Sequence, residues 1–337
     1  MRLIGKLLTG LALLAGLAVA ADAQAPACSG KNILDELRTS DPSVHARILA
    51  AAAGTENANA VFWRVEKAGT PPSHLFGTVH LTDERVHRLS PAVKTALDGA
   101  RRLVLELDDL SPDAMVQQIT KAPDLVGLML YTDGRRLDQL VGGADYEMLS
   151  QALGRSGVPA QAVGAFRPWI ATLMLAISEC EQQRMRSGLL SLDARLAKDT
   201  EQRGLKPVGL ETVASQLQAL SSVPERDQVE VLKSTVRHYH RVDDFIETMV
   251  QLYQRRQLGA LWPLQLELAE KVGVKRQAFD SYERALLVAR NFGMRDRALA
   301  HLAEGDAFIA VGALHLPGKN GLVSLLRAEG YTLTAIE

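Results

Sequence analysis

The chain opens on a positive pair, Arg2 and Lys6, followed by a short apolar run from Leu7 to Val19 and then by Ala21-Asp22-Ala23. That run, about 13 residues, is shorter than the roughly 20 that span a bilayer, and no later stretch reaches that length. With an A-x-A cleavage signal behind it, residues 1–23 read as an export segment, leaving 24–337 as a single mature domain. From Asn32 to Ala53 the rhythm turns helical: Ile33, Leu34, Leu37, Val44, Ile48 and Leu49 share a spacing that Asp41-Pro42 interrupts. Two β-rich runs follow, VFWRVEKAG (61–69) and SHLFGTVHL (73–81), joined by Thr70-Pro71-Pro72. Prolines suit a turn and not a strand interior, so the pair predicts a hairpin.

Ser90 reads as the N-cap and Pro91 as the first residue of a helix to Gly99, with RLVLELDD (102–109) as a buried strand after it. Ser111 to Arg203 and Val213 to Leu302 are almost wholly helical in pattern, with breaks at Asp133-Gly134 and Gly142-Gly143. LKPVGLET (205–212) is a short strand between them, and the apolar Ile170 to Ile177 reads as core. AFIAVGALH (307–315) and YTLTAI (331–336) are strands on either side of a helix from about Asn320 to Glu329. One correspondence organises the whole: SHLFGTVHL and AFIAVGALHL each run apolar strand, G-x-x-H, leucine, loop and helix. The expected fold class is α/β, a mixed sheet from two related strand-GxxH-helix halves with a large helical insertion over about 111–305. Side by side in one sheet, the halves would bring His80 and His315 to the same edge, where open α/β sheets collect their ligands.

Composition narrows the partners. A formal charge of -1 gives no overall pull toward nucleic acid or anionic lipid, and with 5% aromatic residues a base-stacking platform is not expected. No nucleic-acid partner and no stable membrane insertion are therefore expected. Two cysteines, Cys28 and Cys180, enter an oxidising compartment if the chain is exported, and one bridge between them is the natural reading. Two unrelated thiols, or a lipid on Cys28, are the alternatives.

Candidate chemistry gathers at the strand ends. A strand-end glycine lets backbone approach closely or take φ > 0, and a histidine three residues on is held at a fixed place. Eight histidines occur in the chain, and of these His80 and His315 share a context. Glu106 interrupts an apolar strand, where an unpaired acid is costly, and the bland account pairs it with Arg101 or Arg102. Glu211 is placed likewise, after strand and glycine. Two imidazoles and a carboxylate with an open position can hold a divalent ion such as Zn²⁺, Mn²⁺ or Fe²⁺. H-E-x-x-H, G-x-S-x-G, a phosphate loop and C-x-x-C are all missing from the sequence.

Gly77-Thr78-Val79-His80, the Glu106 strand, Gly209-Leu210-Glu211-Thr212, Arg290-Asn291-Phe292-Gly293-Met294 and Gly312-Ala313-Leu314-His315-Leu316-Pro317-Gly318 together resemble, in order, the TraB/GumN family, which is related to the TIKI metalloproteases. The resemblance implies a site of His80, His315 and Glu106 helped by Arg290 and Asn291, with a divalent metal (Mn, Co or Zn). It also implies a fold likened to erythromycin esterase and the haem-binding ChaN proteins. An Arg on a long helix is ordinarily a salt-bridging surface residue, so Arg290 carries less weight than the histidines. The expectation is a periplasmic or secreted metal-dependent hydrolase, a peptidase, with His80, Glu106 and His315 on the metal. Glu211 would be a further ligand or the base that deprotonates water. The alternative is a non-catalytic protein that holds a peptide or haem in the same cleft.

Overall fold

A computed structural model describes residues 28–337 of the chain; the expected export segment, 1–23, lies outside them. Among the described residues six strands form one mixed sheet: β1 (Phe62–Glu66), β2 (Ser73–Thr78), β3 (Arg102–Leu105), β4 (Val208–Gly209), β5 (Ala307–Gly312) and β6 (Thr332–Ala335). Their order is β4-β3-β5-β2-β1-β6. The hairpin β1–β2 is antiparallel, as its proline turn predicts, and β6 is antiparallel to β1. β2, β5, β3 and β4 run parallel to one another, so their carboxyl ends share one edge.

Strand periodicity explains how both faces of the sheet are covered. On β5, Phe308 and Ala310 join Phe62, Phe76, Leu103 and Leu105 in a core beneath the N-terminal helices and the helix Pro91–Gly99, through Val93 and Leu97. Ala307, Ile309 and Val311 face the other way, with Trp63 of β1 and Val104 of β3, against Met294, Leu322 and Leu326 of the opposite helical layer. Such strands are apolar on both sides, which is why AFIAVG reads as a continuous run and not as an alternation. The helix Pro91–Gly99 starts where Ser90 predicts, its hydroxyl accepting the Val93 N–H.

The chain leaves β2 through the Pro91–Gly99 helix on one face and crosses β5 to reach β3. It leaves β5 through the helix Leu322–Ala328 on the other face and crosses β2 and β1 to reach β6. The neighbouring strands β2 and β5 thus send their continuations in opposite directions. A crevice opens at the carboxyl ends of such a pair. The two halves share their plan, although the motifs are staggered by one residue: Gly312 lies opposite Thr78, and Gly77 opposite Val311.

The helical middle of the chain has its own apolar clusters. One holds Leu137, Leu149, Phe166, Trp169, Ile170 and Leu232, and Trp169 donates its indole N–H to the Leu128 carbonyl at 2.9 Å. The stretch Ile170 to Ile177 is core in part: Ile170, Ala171 and Leu175 are buried while Leu173 is 42% exposed. A bridge joins Cys28 to Cys180 across 152 residues, tying the start of the described chain to the helix Glu179–Arg186. No helix among the described residues is long and apolar enough to cross a membrane.

Candidate active site

Each of the parallel strands delivers one residue to the shared edge. His80 follows β2, Glu106 follows β3, Glu211 follows β4, and His315 closes a short 3₁₀ turn, Ala313–His315, after β5. The glycines of the two G-x-x-H motifs are explained by close approach and not by positive φ. A Cβ on Gly77 would stand 2.8 Å from Leu316 and 2.9 Å from the Ala313 Cβ, so β2 can reach the turn carrying His315 because that atom is missing. A Cβ on Gly312 would stand 3.1 Å from Glu106 Oε1, 3.4 Å from His315 Cδ2 and 3.7 Å from His80 Nε2. Three atoms of three side chains therefore surround one point. The two imidazoles and the carboxylate form a common floor.

Both rings are held from behind by oxygen. His80 Nδ1 lies 2.7 Å from Asp193 Oδ2, and the Thr78 hydroxyl donates to the other Asp193 oxygen at 2.5 Å. A carboxylate only accepts, so the proton is on His80 Nδ1. His315 Nδ1 lies 2.6 Å from Asn291 Oδ1, while Asn291 Nδ2 donates to the Asn320 carbonyl at 2.8 Å. That second bond fixes which way the amide faces, and with it the proton on His315 Nδ1. In each ring Nε2 is turned to the floor. The His80 side chain is 59% exposed, open to the cleft, and that of His315 6%.

Glu106 is fixed from two sides. Its Oε1 accepts the Gly312 N–H at 2.7 Å and stands 3.7 Å from His315 Nε2; its Oε2 accepts from Arg290 at 2.6 Å and from Gln216 at 3.2 Å. The bland pairing of Glu106 with Arg101 or Arg102 does not occur, because those two bind Asp306 and Glu304 at the far end of the strand. Arg290, expected to be a surface residue, has its side chain 15% exposed and spans Glu106 and Glu211. A π-helical turn, Arg284–Val288, leads into its helix, Ala289–Glu304, and turns of this kind recur at functional sites. Glu211, expected as a ligand or a base, is paired with Arg290 and Gln216 in this structure. Both its oxygens accept from Arg290, at 2.6 to 3.1 Å, and one accepts from Gln216, so it holds the guanidinium in place.

Electrostatics sort the floor. Asp193 pushes the pKa of His80 up, to about 9, against the opposing effect of burial; solvent in the cleft weakens that pull without reversing it. Burial pushes His315 down to about 4, leaving it neutral. Burial would raise Glu106, but His315, His80, Arg290 and the Gly312 N–H outweigh it and hold the carboxyl at about 2. The floor thus combines a cationic ring, a neutral ring and an ionised carboxylate.

Above the floor rises a cleft of about 630 Å³, walled by Leu81, Leu107, Leu110, Leu173, Ile177, Leu220 and other aliphatic side chains. As placed, no three His, Cys, Asp or Glu side chains among the described residues close tightly enough to hold a metal ion. The donors nevertheless fit one in kind: two imidazoles with Nδ1 tied to oxygen and Nε2 turned to the floor, that of His315 3.7 Å from the Glu106 carboxylate. Asp193, Gln216 and Thr78 were not singled out in the sequence. Thr78 lies inside the Gly77–His80 motif without a role read for it, and Asp193 reads there as an acid in the first turn after an N-cap serine, Ser191, the usual dress of any helix start.

The model of the TraB/PrgY/gumN family matches residues 61–335. The chain is 21% identical over 259 residues to "Uncharacterized protein YbaP" of Shigella flexneri, covering 77% of this chain and 89% of that one. It is 25% identical over 321 residues to "Metalloprotease TIKI2" of Xenopus tropicalis and 24% over 317 residues to "Metalloprotease TIKI1" of Danio rerio. Those matches cover 82% and 81% of this chain but 60% and 62% of the metalloproteases. No solved structure matches.

Proposed function

The chain belongs to the TraB/PrgY/gumN family, and from that premise we propose that it is an exported metal-dependent hydrolase acting on an amide or ester carbonyl at the floor of the cleft. One observation carries the reading: two imidazoles from separate strands turn Nε2 toward the same floor, each with Nδ1 held by an oxygen, beside the ionised Glu106. His80, His315 and Glu106 would hold the ion, which supplies Lewis-acid polarisation of a carbonyl and a more acidic water. Mn²⁺, Co²⁺ and Zn²⁺ are the candidates. Asp193 and Asn291 hold a proton on Nδ1 of each ring, so Nε2 is the nitrogen that would meet the ion, the cationic His80 giving up its Nε2 proton to do so. Arg290, locked by Glu211 and Gln216, keeps Glu106 ionised and still. Glu106 and His315 are shielded from bulk water beneath the cleft, which strengthens the charge interactions between them.

The TIKI relatives are named metalloproteases, and this supports peptide amides as the first substrates to try. The Cys28–Cys180 bridge and the apolar N-terminal run support action in the periplasm or outside the cell. The test is turnover of a library of amides and esters, peptides included, by full-length processed protein supplied with each ion. Cleavage that vanishes in His80→Ala and in His315→Ala is expected. No cleavage with any ion would favour the reading in which the cleft binds without turnover.

A further inference from the structure

The lining of the cleft is mostly apolar. Its walls are aliphatic, among them Leu173, Ile177, Met185, Leu220, Met249 and Leu287. The polar side chains along them are already engaged: Glu181 accepts the Thr82 N–H and hydroxyl, Asp193 serves Thr78 and His80, and the Gln216 amide serves Glu106 and Glu211. A peptide laid through the cleft brings an N–H and a C=O at every residue, and walls of this kind leave them unpaired, which is strongly unfavourable. A methylene chain brings neither. Leu173 and Met185 line the same cleft and are each 42% exposed, apolar surface that a chain of this kind would cover. The volume, about 630 Å³, lies within the roughly 300 to 1,000 Å³ of clefts that enclose a small molecule.

Resting on the hydrolase reading above, we propose that the substrate is a soluble ester or amide of an aliphatic acid, its acyl chain lying along these walls and its carbonyl at His80, Glu106 and His315. Hydrolysis adds one water across the acyl bond. The C–O or C–N bond breaks, the acid keeps the oxygen of the water, and the alcohol or amine leaves with a proton from it.

Two measurements test this. Calorimetric titration of the full chain with fatty acids from hexanoate to dodecanoate should show Kd falling about fourfold for each added methylene, the effect of burying one CH₂. Leu173→Asp and Met185→Asp, at partly exposed positions, should weaken decanoate binding at least tenfold with an unchanged circular dichroism spectrum. A Kd flat with chain length, or wall variants that bind like the wild type, would overturn the proposal. In parallel, 4-nitrophenyl esters and coumarin amides of the same acids are offered to ion-supplied protein, where kcat/KM should climb with chain length. His315→Ala should lose turnover and keep the chain-length slope in binding. A slope in binding with no turnover of any substrate would sink the hydrolase reading and leave the acyl site standing. Turnover of short peptides without a slope would do the reverse. Co-sedimentation with phosphatidylcholine vesicles would overturn the soluble form of the ligand.

Discussion

At the scale of single residues, the site is a set of side chains each fixed by a partner far away in sequence. His80 and His315 were legible because the same G-x-x-H follows two apolar strands, and Glu106 because an acid in an apolar strand demands a partner. Asp193 was not, since it lies 113 residues from His80 and reads locally as an acid favouring the positive end of its own helix. Arg290 was undervalued for a related reason: helical spacing cannot reveal that its carboxylate partners arrive from strand ends 184 and 79 residues away. If Asp193 and Asn291 orient metal-binding rings, Asp193→Asn and Asn291→Ala should each lower ion affinity about 10- to 100-fold, as removing such partners does elsewhere. Equilibrium dialysis against a metal buffer measures this, and affinities equal to wild type would remove both residues from the account.

At the scale of elements, two close approaches and one charged clamp hold the floor in place. The turn Ala313–His315 packs on β2 at Gly77, so Gly77→Ala should overpack that contact and cost about 1 to 3 kcal/mol in urea unfolding. A neutral result would mean that the turn shifts freely. The loop beyond His80 is clamped by Arg85, which donates to Asp83 and to Glu247 of the helix Val242–Gln254. Burial would raise the Asp83 carboxyl, but its bonds to Arg85 more than offset this, and Arg85 lowers Glu247 as well. Both carboxyls thus sit below their ordinary values of 3.8 and 4.5 in the folded protein. Groups with depressed pKa contribute stability above their unfolded values, and that contribution disappears as pH falls through the folded ones. The unfolding free energy should therefore drop on acidification below about pH 5, and Arg85→Met should flatten that drop while lowering stability at pH 7. Parallel acid-side slopes for the two proteins would contradict the clamp.

At the scale of the whole molecule, the hairpin, the strand–helix–strand ends and the helical middle were legible because local periodicity and turn residues carry them. The one-residue stagger of the halves was not, because register is set by the packing of facing layers, nor was the escape of β2 and β5 to opposite faces. The long loop closed by Cys28–Cys180 tethers the helix that carries Glu181 and Met185 beside the cleft. Its loss in the double variant Cys28→Ser, Cys180→Ser should cost about 2 to 5 kcal/mol by chemical denaturation, and an unchanged midpoint would show that the bridge is dispensable. The central claim is that strands from both ends of the chain build one ion-dependent site. It is tested most directly by calorimetric titration of chelator-treated protein with Mn²⁺, Co²⁺ and Zn²⁺. Binding of one ion per chain, lost in both His80→Ala and His315→Ala while circular dichroism is unchanged, is the predicted result. Absence of binding for all three ions, or either variant binding like the wild type, would contradict it.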